Sequence, residues 1–285
     1  MQNPLVKRRL FVSYIFLFTL LSVSFPGQHL AAQGDLLVAP KRIVFEGRER
    51  YKELTLSNTG KDTARYSISF LHYKMNEVGS LQELPAGDSS LLFADKYVRY
   101  FPRSVTLAPG ESQVVRLQRT QNGQMETGEY RSHLYLRSAT SQPASADVQG
   151  KATGAGAITI KLNTVFGIAV PVILHVGEST TTVALSHGSF QPSGKPYINI
   201  TLNRDGNRSC YGDFTVDHID LSGTATRVSE LNGIAVYQPL RKREIKLALR
   251  TVPGVDYTKG KLHVVYASPG ANNQNTIGQT EIFLD

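Results

Sequence analysis

Apolar and polar residues alternate with a period of two through most of the chain after residue 33. The clearest runs are Leu54 and Leu56, then Tyr66, Ile68 and Phe70, then Tyr130, Leu134 and Leu136, then Ile198, Ile200 and Leu202. A strand with one buried face requires this period, because successive side chains point to opposite faces of a sheet. No stretch after residue 33 keeps a helical period over three turns. The sequence therefore predicts an all-β chain.

Turn-forming residues divide the chain into two sets of short strands. The first set lies near residues 36–45, 52–58, 64–73, 97–101, 112–119, 129–138 and 157–174, and the second near 181–187, 196–203, 209–219, 226–237, 243–250, 260–267 and 276–284. Seven strands at this spacing are typical of an immunoglobulin-like sandwich. We therefore predict two tandem immunoglobulin-like β-sandwich domains, at residues 33–176 and 177–285. An inter-domain cleft between them is the expected place for a ligand.

One turn signal is stronger than the others. The run Arg204-Asp205-Gly206-Asn207 separates two alternating stretches. An Asp-Gly pair readily adopts the positive backbone angles that tight hairpin turns require. The sequence predicts a hairpin in which the two flanking strands pair with each other.

The N-terminal residues have the order of a secretory signal peptide. Lys7, Arg8 and Arg9 precede the apolar run 11–25, and the small residues Ala31 and Ala32 follow. The alternative is a membrane anchor, but a spanning helix needs about 20 apolar residues and this run is shorter. We predict a signal peptide at residues 1–32 and an exported chain, not embedded in the membrane after cleavage. Its removal takes away three basic residues, so the formal charge of +8 falls to +5.

Composition excludes several classes of function. The remaining positive charges are scattered, which argues against nucleic-acid binding. Cys210 is the only cysteine, so no internal disulfide forms, as is common in a bacterial periplasm. The sequence has no nucleophile elbow, phosphate loop or closely spaced metal-ligand pair. We expect no enzyme activity, no catalytic residue, no cofactor and no metal. His133 alternates with Ser132 and Leu134, and its side chain is predicted to face solvent or the other domain.

Three stretches resemble a known family. They are PKRIVFEGRERYKELTLSNTG (40–60), FADKYVRYFPRSVTLAPGESQVVRLQRT (93–120), and the small and polar run 139–156 followed by the long apolar strand 157–174. In this order they resemble the periplasmic pilus (fimbrial) chaperones of the chaperone/usher pathway, which are PapD-like. The resemblance covers the first domain by motif and the second by size and strand pattern.

The resemblance implies a role for the long seventh strand. Chaperones of this family lend that strand to a pilus subunit whose own sandwich lacks one, by β-strand addition. The alternating set that fits here is Ile158, Ile160 and Leu162, with 139–156 as a mobile loop beside it. The alternative is that these three side chains face the domain's own core. Phe166, Ile168, Val170 and Val172 are expected to stay in that core.

The resemblance also implies an anchor for the subunit's C-terminal carboxylate. The family uses an arginine on the first strand and a lysine on the seventh. The arginine position matches Arg42, whereas the lysine position falls on Gly167, with Lys41 and Lys161 as nearby substitutes. Three explanations for the missing lysine stay open. Carboxylate binding is weaker and relies on one basic residue, or the alignment with the family slips by a residue or two, or the partner differs from a normal pilus subunit. Without the resemblance, Lys41 and Arg42 are typical of charges that guard a strand edge.

These observations predict a periplasmic chaperone. It would stabilise pilus or fimbrial subunits by donor-strand complementation and deliver them to an outer-membrane usher. The alternative is a non-catalytic PapD-like binding module that recognises a folded surface protein or a glycan. A homodimer that covers the lent strands of the free protein is a further expectation, because an open strand edge is prone to association.

Overall fold

Strands make up nearly all of the regular structure. The computed structural model describes residues 35–85, 87–88, 90–120, 125–138, 142–143, 163–164, 166–192, 194–270 and 275–284. Over these ranges the one helical element is the 3-10 turn Ala94–Lys96. The all-β prediction is confirmed.

The first half of the chain forms a sandwich of two sheets. Its strands are β1 Leu36–Ala39, β2 Ile43–Phe45, β3 Tyr51–Asn58, β4 Ala64–Leu71, β5 Tyr73–Met75, β6 Leu81–Glu83, β7 Val98–Phe101, β8 Ser104–Leu107, β9 Ser112–Arg119, β10 Gly128–Ser138, β11 Gln142–Pro143, β12 Asn163–Thr164 and β13 Gly167–Val176. One sheet has the order β1-β3-β9-β7 and the other the order β2-β13-β10-β4-β8. Leu54, Leu117, Leu134 and Val172 are fully buried between them.

The second half forms another two-sheet sandwich. Its strands are β14 Thr182–Gln191, β15 Tyr197–Asp205, β16 Cys210–Ile219, β17 Ala225–Val236, β18 Lys242–Ala248, β19 Gly260–Ala267 and β20 Thr276–Leu284. The sheets have the orders β14-β15-β18 and β17-β16-β19-β20. Ile200, Phe214 and Val264 belong to its separate core. Two immunoglobulin-like sandwiches are thus confirmed, and the predicted boundary at 176/177 falls in the link between β13 and β14.

The predicted first strand, 36–45, is two strands. Residues Leu36–Ala39 pair with β3 in one sheet, whereas Ile43–Phe45 pair with β13 in the other. Pro40 explains the break, because proline has no N–H to continue a ladder. Ile43 lies opposite Val172 in a parallel pair, so Arg42, just before it, stands at the level of Pro171. The change of sheet therefore brings Arg42 to β13.

The predicted hairpin at 204–207 is wrong. β15 pairs with β14 and β18, whereas β16 pairs with β17 and β19 in the opposite sheet. The turn itself forms, with Gly206 at a φ of 95°. Arg204, which is buried, fixes it by donating Nε to the Leu240 carbonyl at 2.8 Å and Nη1 to the Gly206 carbonyl at 2.9 Å. An Asp-Gly turn specifies a reversal of the chain, but long-range packing selects the sheet that the next strand joins.

The long strand predicted at 157–174 extends to Val176. Its described part is β13, Gly167–Val176, while Ile158, Ile160 and Leu162 lie outside the described residues. Val170 and Val172 are buried in the core as predicted, but Phe166 is exposed. Gln142–Pro143, which lies in the segment predicted as a loop, forms an antiparallel pair with Asn163–Thr164. This pair continues the antiparallel pairing of β10 with β13. The strand β8 was not predicted, because its run is short and contains two hydroxyl side chains.

Candidate functional site

The two sandwiches meet along the outer face of the five-stranded sheet. Period-two alternation turns Val172 and Leu134 toward the first core and turns their neighbours Ile173, Arg131 and His133 the other way. There Ile173 packs with residues of the second sandwich in a small third cluster. Its buried members are Met75, Ile173, Ala235 and Tyr237, with Val44, Tyr211 and Leu240 packed against them. This contact closes one side of a cleft.

Arg42 projects into this cleft and is held by aromatic rings. Its guanidinium carbon lies 4.7 Å from the ring centre of Tyr211 and 5.9 Å from that of Tyr237, both in the second sandwich. Cation–π contacts of this kind are attractive up to about 6 Å. The Nη1 atom of Arg42 is buried and has no hydrogen-bond partner in the described part of the chain. Arg42 also lines a cleft of about 640 Å³ between the sandwiches.

A free, buried guanidinium donor is suited to an anionic ligand. A buried donor without a partner costs about 1–3 kcal/mol, and a ligand that accepts from it removes this cost. The planar fork of arginine matches a carboxylate group. Arg42 therefore has the chemistry to bind a carboxylate that enters the cleft, and this role, which the resemblance implied, stays a prediction.

Lys41, the second predicted anchor, does not join Arg42 in the cleft. Its side chain is exposed, and among the described residues it makes no hydrogen bond or ion pair. It is also absent from the lining of the cleft. Alternation explains this placement, because adjacent residues of an extended chain point to opposite sides. A contribution of Lys41 to carboxylate binding stays a prediction.

The position expected for the family lysine is filled by a tyrosine ring. Tyr135 lies across Gly167, and its Oη overlaps the point that a β-carbon at residue 167 would occupy. Gly167 is also four residues before Pro171, or about 13 Å along the strand from the level of Arg42. A lysine at 167 would have to displace Tyr135 before it could reach Arg42. Among the predicted anchor residues, the described structure brings Arg42 alone into the cleft.

Arg131 was not predicted as a cleft residue, although its spacing from His133 placed both on one face. Its guanidinium carbon lies 4.2 Å from the Tyr237 ring centre, so this ring contacts Arg131 as well as Arg42. Its Nη2 donates to the carbonyls of Tyr73 at 3.1 Å and Gln238 at 3.2 Å, which ties the two sandwiches together. Burial lowers the pKa of Arg131, but an arginine remains charged. Arg131 therefore holds Tyr237 in place.

His133 lies in the interface beside Arg131. The side chain is 1% exposed, and neither ring nitrogen has a partner among the described residues. Its ring meets those of Tyr73 and Tyr237 edge-on, at centroid distances of 5.0 and 6.2 Å. Burial, together with the positive charge of Arg131, lowers the pKa of His133 to about 3. The imidazole is therefore neutral at neutral pH.

A polar network joins the sandwiches on the other side of Ile173. Glu129 accepts hydrogen bonds from the backbone N–H of Ser209, at 2.7 Å, and from the Ser209 hydroxyl. Its carboxylate is also 3.4 Å from Nε2 of His175, whose Nδ1 lies 2.6 Å from Glu46. Burial by itself raises the pKa of Glu129, but the hydrogen bonds from His175 and Ser209 outweigh it and hold the pKa below its usual value. We call Glu129, His175, Glu46 and Ser209 the inter-domain latch.

One edge of β13 is open. β2 pairs only with Val172–Leu174, whereas β13 begins at Gly167. The outer edge of Gly167–Pro171 therefore has no strand partner in the described part of the chain. Phe166, at the start of this edge, is 39% exposed. The open edge runs toward the cleft and ends at the level of Arg42.

Among the described residues, no helix has the length and apolar character that a membrane span requires. No family model matches the sequence, and no curated protein matches it either.

Several solved structures of chaperones have a similar fold. The YadV chaperone has a TM-score of 0.41 and 9% identity, over 88% of this chain and 100% of that chain. The CupB2 chaperone of Pseudomonas aeruginosa has a TM-score of 0.41 and 12% identity, over 87% and 100%. The complex of the Salmonella enterica SafA pilin with the SafB chaperone gives a TM-score of 0.39 and 14% identity, over 89% and 98%.

Proposed function

We propose that the protein is a periplasmic chaperone for subunits of a surface fibre, which it holds by lending the edge of its seventh long strand. The observation that carries this proposal is an open strand edge that ends at an unpaired, buried guanidinium donor. An edge of unpaired backbone groups binds an extended chain, and a cation at its end binds the carboxylate with which such a chain terminates.

The geometry specifies how the partner would lie. A chain that pairs with Gly167–Pro171 and ends at Arg42 runs in the same direction as β13, because β13 also runs toward Arg42. Its backbone hydrogen bonds would give affinity without demanding a particular sequence. Upstream of β13, Ile158, Ile160 and Leu162 would fill the open groove of the subunit. Lys41, which precedes Arg42 in the sequence and is exposed, would add a long-range attraction for the carboxylate.

The rest of the pathway follows from the same proposal. The signal peptide at residues 1–32 would export the chain to the periplasm, and an outer-membrane usher would receive the loaded chaperone. Release would come when a neighbouring subunit supplies a better strand. In the free protein, a homodimer would cover the lent strands of both copies.

The lent strand is tested by placing a charge on one of its faces. We expect the mature protein to capture a β-rich secreted protein from periplasm. Ile160→Asp should lose this capture by more than tenfold, because a buried carboxylate in the subunit's groove is costly. Thr159→Asp is the matched control, since alternation is expected to put its side chain on the opposite face, and capture should persist. Capture is measured by quantitative mass spectrometry, and equal capture by wild type and both variants would sink the proposal.

The filled position at Gly167 favours a second candidate function. Tyr135 occupies the expected place of a lysine, so the cleft has one predicted carboxylate anchor. A cleft with one anchor would suit a binding module that recognises a folded surface protein or a glycan. The captured partner distinguishes the two functions. A subunit that unfolds or aggregates when it is separated from the protein supports the chaperone, whereas a partner that stays folded alone supports the binding module.

A further inference from the structure

We infer that the second sandwich completes the carboxylate site, by fixing Arg42 with Tyr211 and by receiving the last side chain of the bound chain against Val183 and Ile277. This inference rests on the proposed function and names the chemistry of the partner's end, which is a free carboxylate on an apolar residue.

The first step is the orientation of Arg42. An arginine side chain loses much rotamer entropy when it is fixed, so a free one binds a ligand less tightly than one already held in place. Tyr211 lies 4.7 Å below the guanidinium carbon, and Tyr237 lies at 5.9 Å. Tyr237 is itself 7% exposed and contacts Arg131 at 4.2 Å. Both rings belong to the second sandwich, so this sandwich positions a cation that the first one supplies.

The second step is the direction of the free donor. The guanidinium carbon lies over the Tyr211 ring, and because this contact uses no N–H donor, the N–H edge of the group is left for hydrogen bonds. Nη1 of Arg42 is buried and unpaired within the described residues. A carboxylate at this edge would accept a charge-assisted hydrogen bond without disturbing the contact with Tyr211.

The third step is the wall beyond Arg42. Three half-buried apolar residues line the cleft beside the polar Thr181, Thr182, Ser209 and Ser268; they are Val44 from the first sandwich and Val183 and Ile277 from the second. An apolar side chain that packs against these three removes further apolar surface from water, which is favourable. Glu46 stands at the same cleft with its side chain 56% exposed. It would repel an acidic last residue, so the cleft selects an apolar one.

The test uses four short synthetic peptides of alternating threonine and valine, made soluble by lysines at the N-terminus. They end in valine or aspartate, each as the free acid or as the amide, and fluorescence anisotropy gives their affinities for the full mature protein. We expect wild type to bind the valine acid at least about tenfold more tightly than the valine amide. Arg42→Ala should bind the valine acid and the valine amide equally well.

Tyr211 is then tested as a positioning residue. Tyr211→Leu keeps apolar bulk but removes the ring, and it should cut the acid-over-amide ratio by about fivefold, as expected for a partly buried cation–π contact. Tyr211→Phe keeps the ring and should keep the ratio. Tyr197→Leu is the matched control. It also removes a tyrosine ring from a cation–π contact, with the Lys246 ammonium at 3.5 Å, but this ring lies in the sheet β14-β15-β18 and does not contact Arg42. Thermal unfolding checks that each variant folds.

Val183 tests the apolar wall separately. Val183→Ser should reduce the preference for valine over aspartate at the last position by about threefold, since it removes apolar contact area, while the acid-over-amide ratio stays as in wild type. If wild type does not distinguish acid from amide, the carboxylate anchor fails and this inference fails with it. A second outcome is possible, in which wild type and Tyr211→Leu prefer the acid to the amide equally and Arg42→Ala shows no preference. In that case Arg42 binds the carboxylate, but the proposed role of the second sandwich is refuted.

Discussion

Lowering the pH from 6.5 to 4 is expected to destabilise the protein by about 3 kcal/mol through His133 alone. Its pKa falls from an ordinary value of 6.5 to about 3 in the folded chain, because the ring is buried beside Arg131. Between these values the unfolded chain binds a proton that the folded chain rejects. Each pH unit below 6.5 therefore costs about 1.4 kcal/mol. Above pH 6.5 both states are neutral and the effect vanishes.

The substitution that checks this effect is His133→Leu. It removes the titrating ring and both unpaired nitrogens, so stability at pH 7 should change little, or rise, while the loss between pH 6.5 and 4.5 should become much smaller. Urea unfolding at a series of pH values gives the free energy of unfolding. His263→Leu, at a half-buried position on β19, is the matched control and should leave the wild-type slope in place. Parallel pH profiles for wild type and His133→Leu would show that His133 is not the group responsible.

Glu129→Ala is expected to cost about 3–5 kcal/mol, because it breaks the inter-domain latch and leaves buried groups unpaired. The carboxylate is fully buried and receives hydrogen bonds from Ser209 and a contact from His175. Glu281→Ala is the matched control. Its carboxylate is exposed and pairs with Lys261 at 2.8 Å, and such surface pairs contribute little to stability. Equal unfolding free energies for the two variants would contradict the role of Glu129.

The pH dependence of the latch has its own window. Hydrogen bonds hold the folded pKa of Glu129 below the ordinary value of 4.5. Its contribution to stability is therefore present above pH 4.5 and is lost as the pH falls through the folded pKa. Wild type should have a higher unfolding free energy than Glu129→Gln at pH 7. This difference should keep its full size down to about pH 4.5 and shrink only below that pH. His133 already acts between pH 6.5 and 4.5, where the contribution of Glu129 is fully present, so measurements in that range separate the two effects. Small-angle scattering at pH 7 should also show greater separation of the sandwiches in Glu129→Ala.

Local sequence determined the strands themselves. Ser112–Arg119 and Gly260–Ala267 were predicted to within a residue, because a strand and its buried face depend on period-two alternation and on the turns at its ends. The same alternation placed Glu129, Arg131 and His133 on one outward face. Pro40 could have signalled the break between β1 and β2, since proline interrupts a ladder.

Tertiary structure decided which strands share a sheet and what meets across the cleft. β15 and β16 lie on either side of a strong hairpin turn but join opposite sheets, because the packing of apolar faces decides which strands pair. Glu129 and Ser209 are 80 residues apart, and no local pattern links them. The sequence by itself determined most of the strands and their buried faces, and the resemblance of its motifs to a known family pointed to Arg42 as a cleft cation. Only the packing of two separate cores against each other brought Tyr211 and Tyr237 onto that guanidinium, because contacts between domains depend on the shapes of both surfaces and not on any local period.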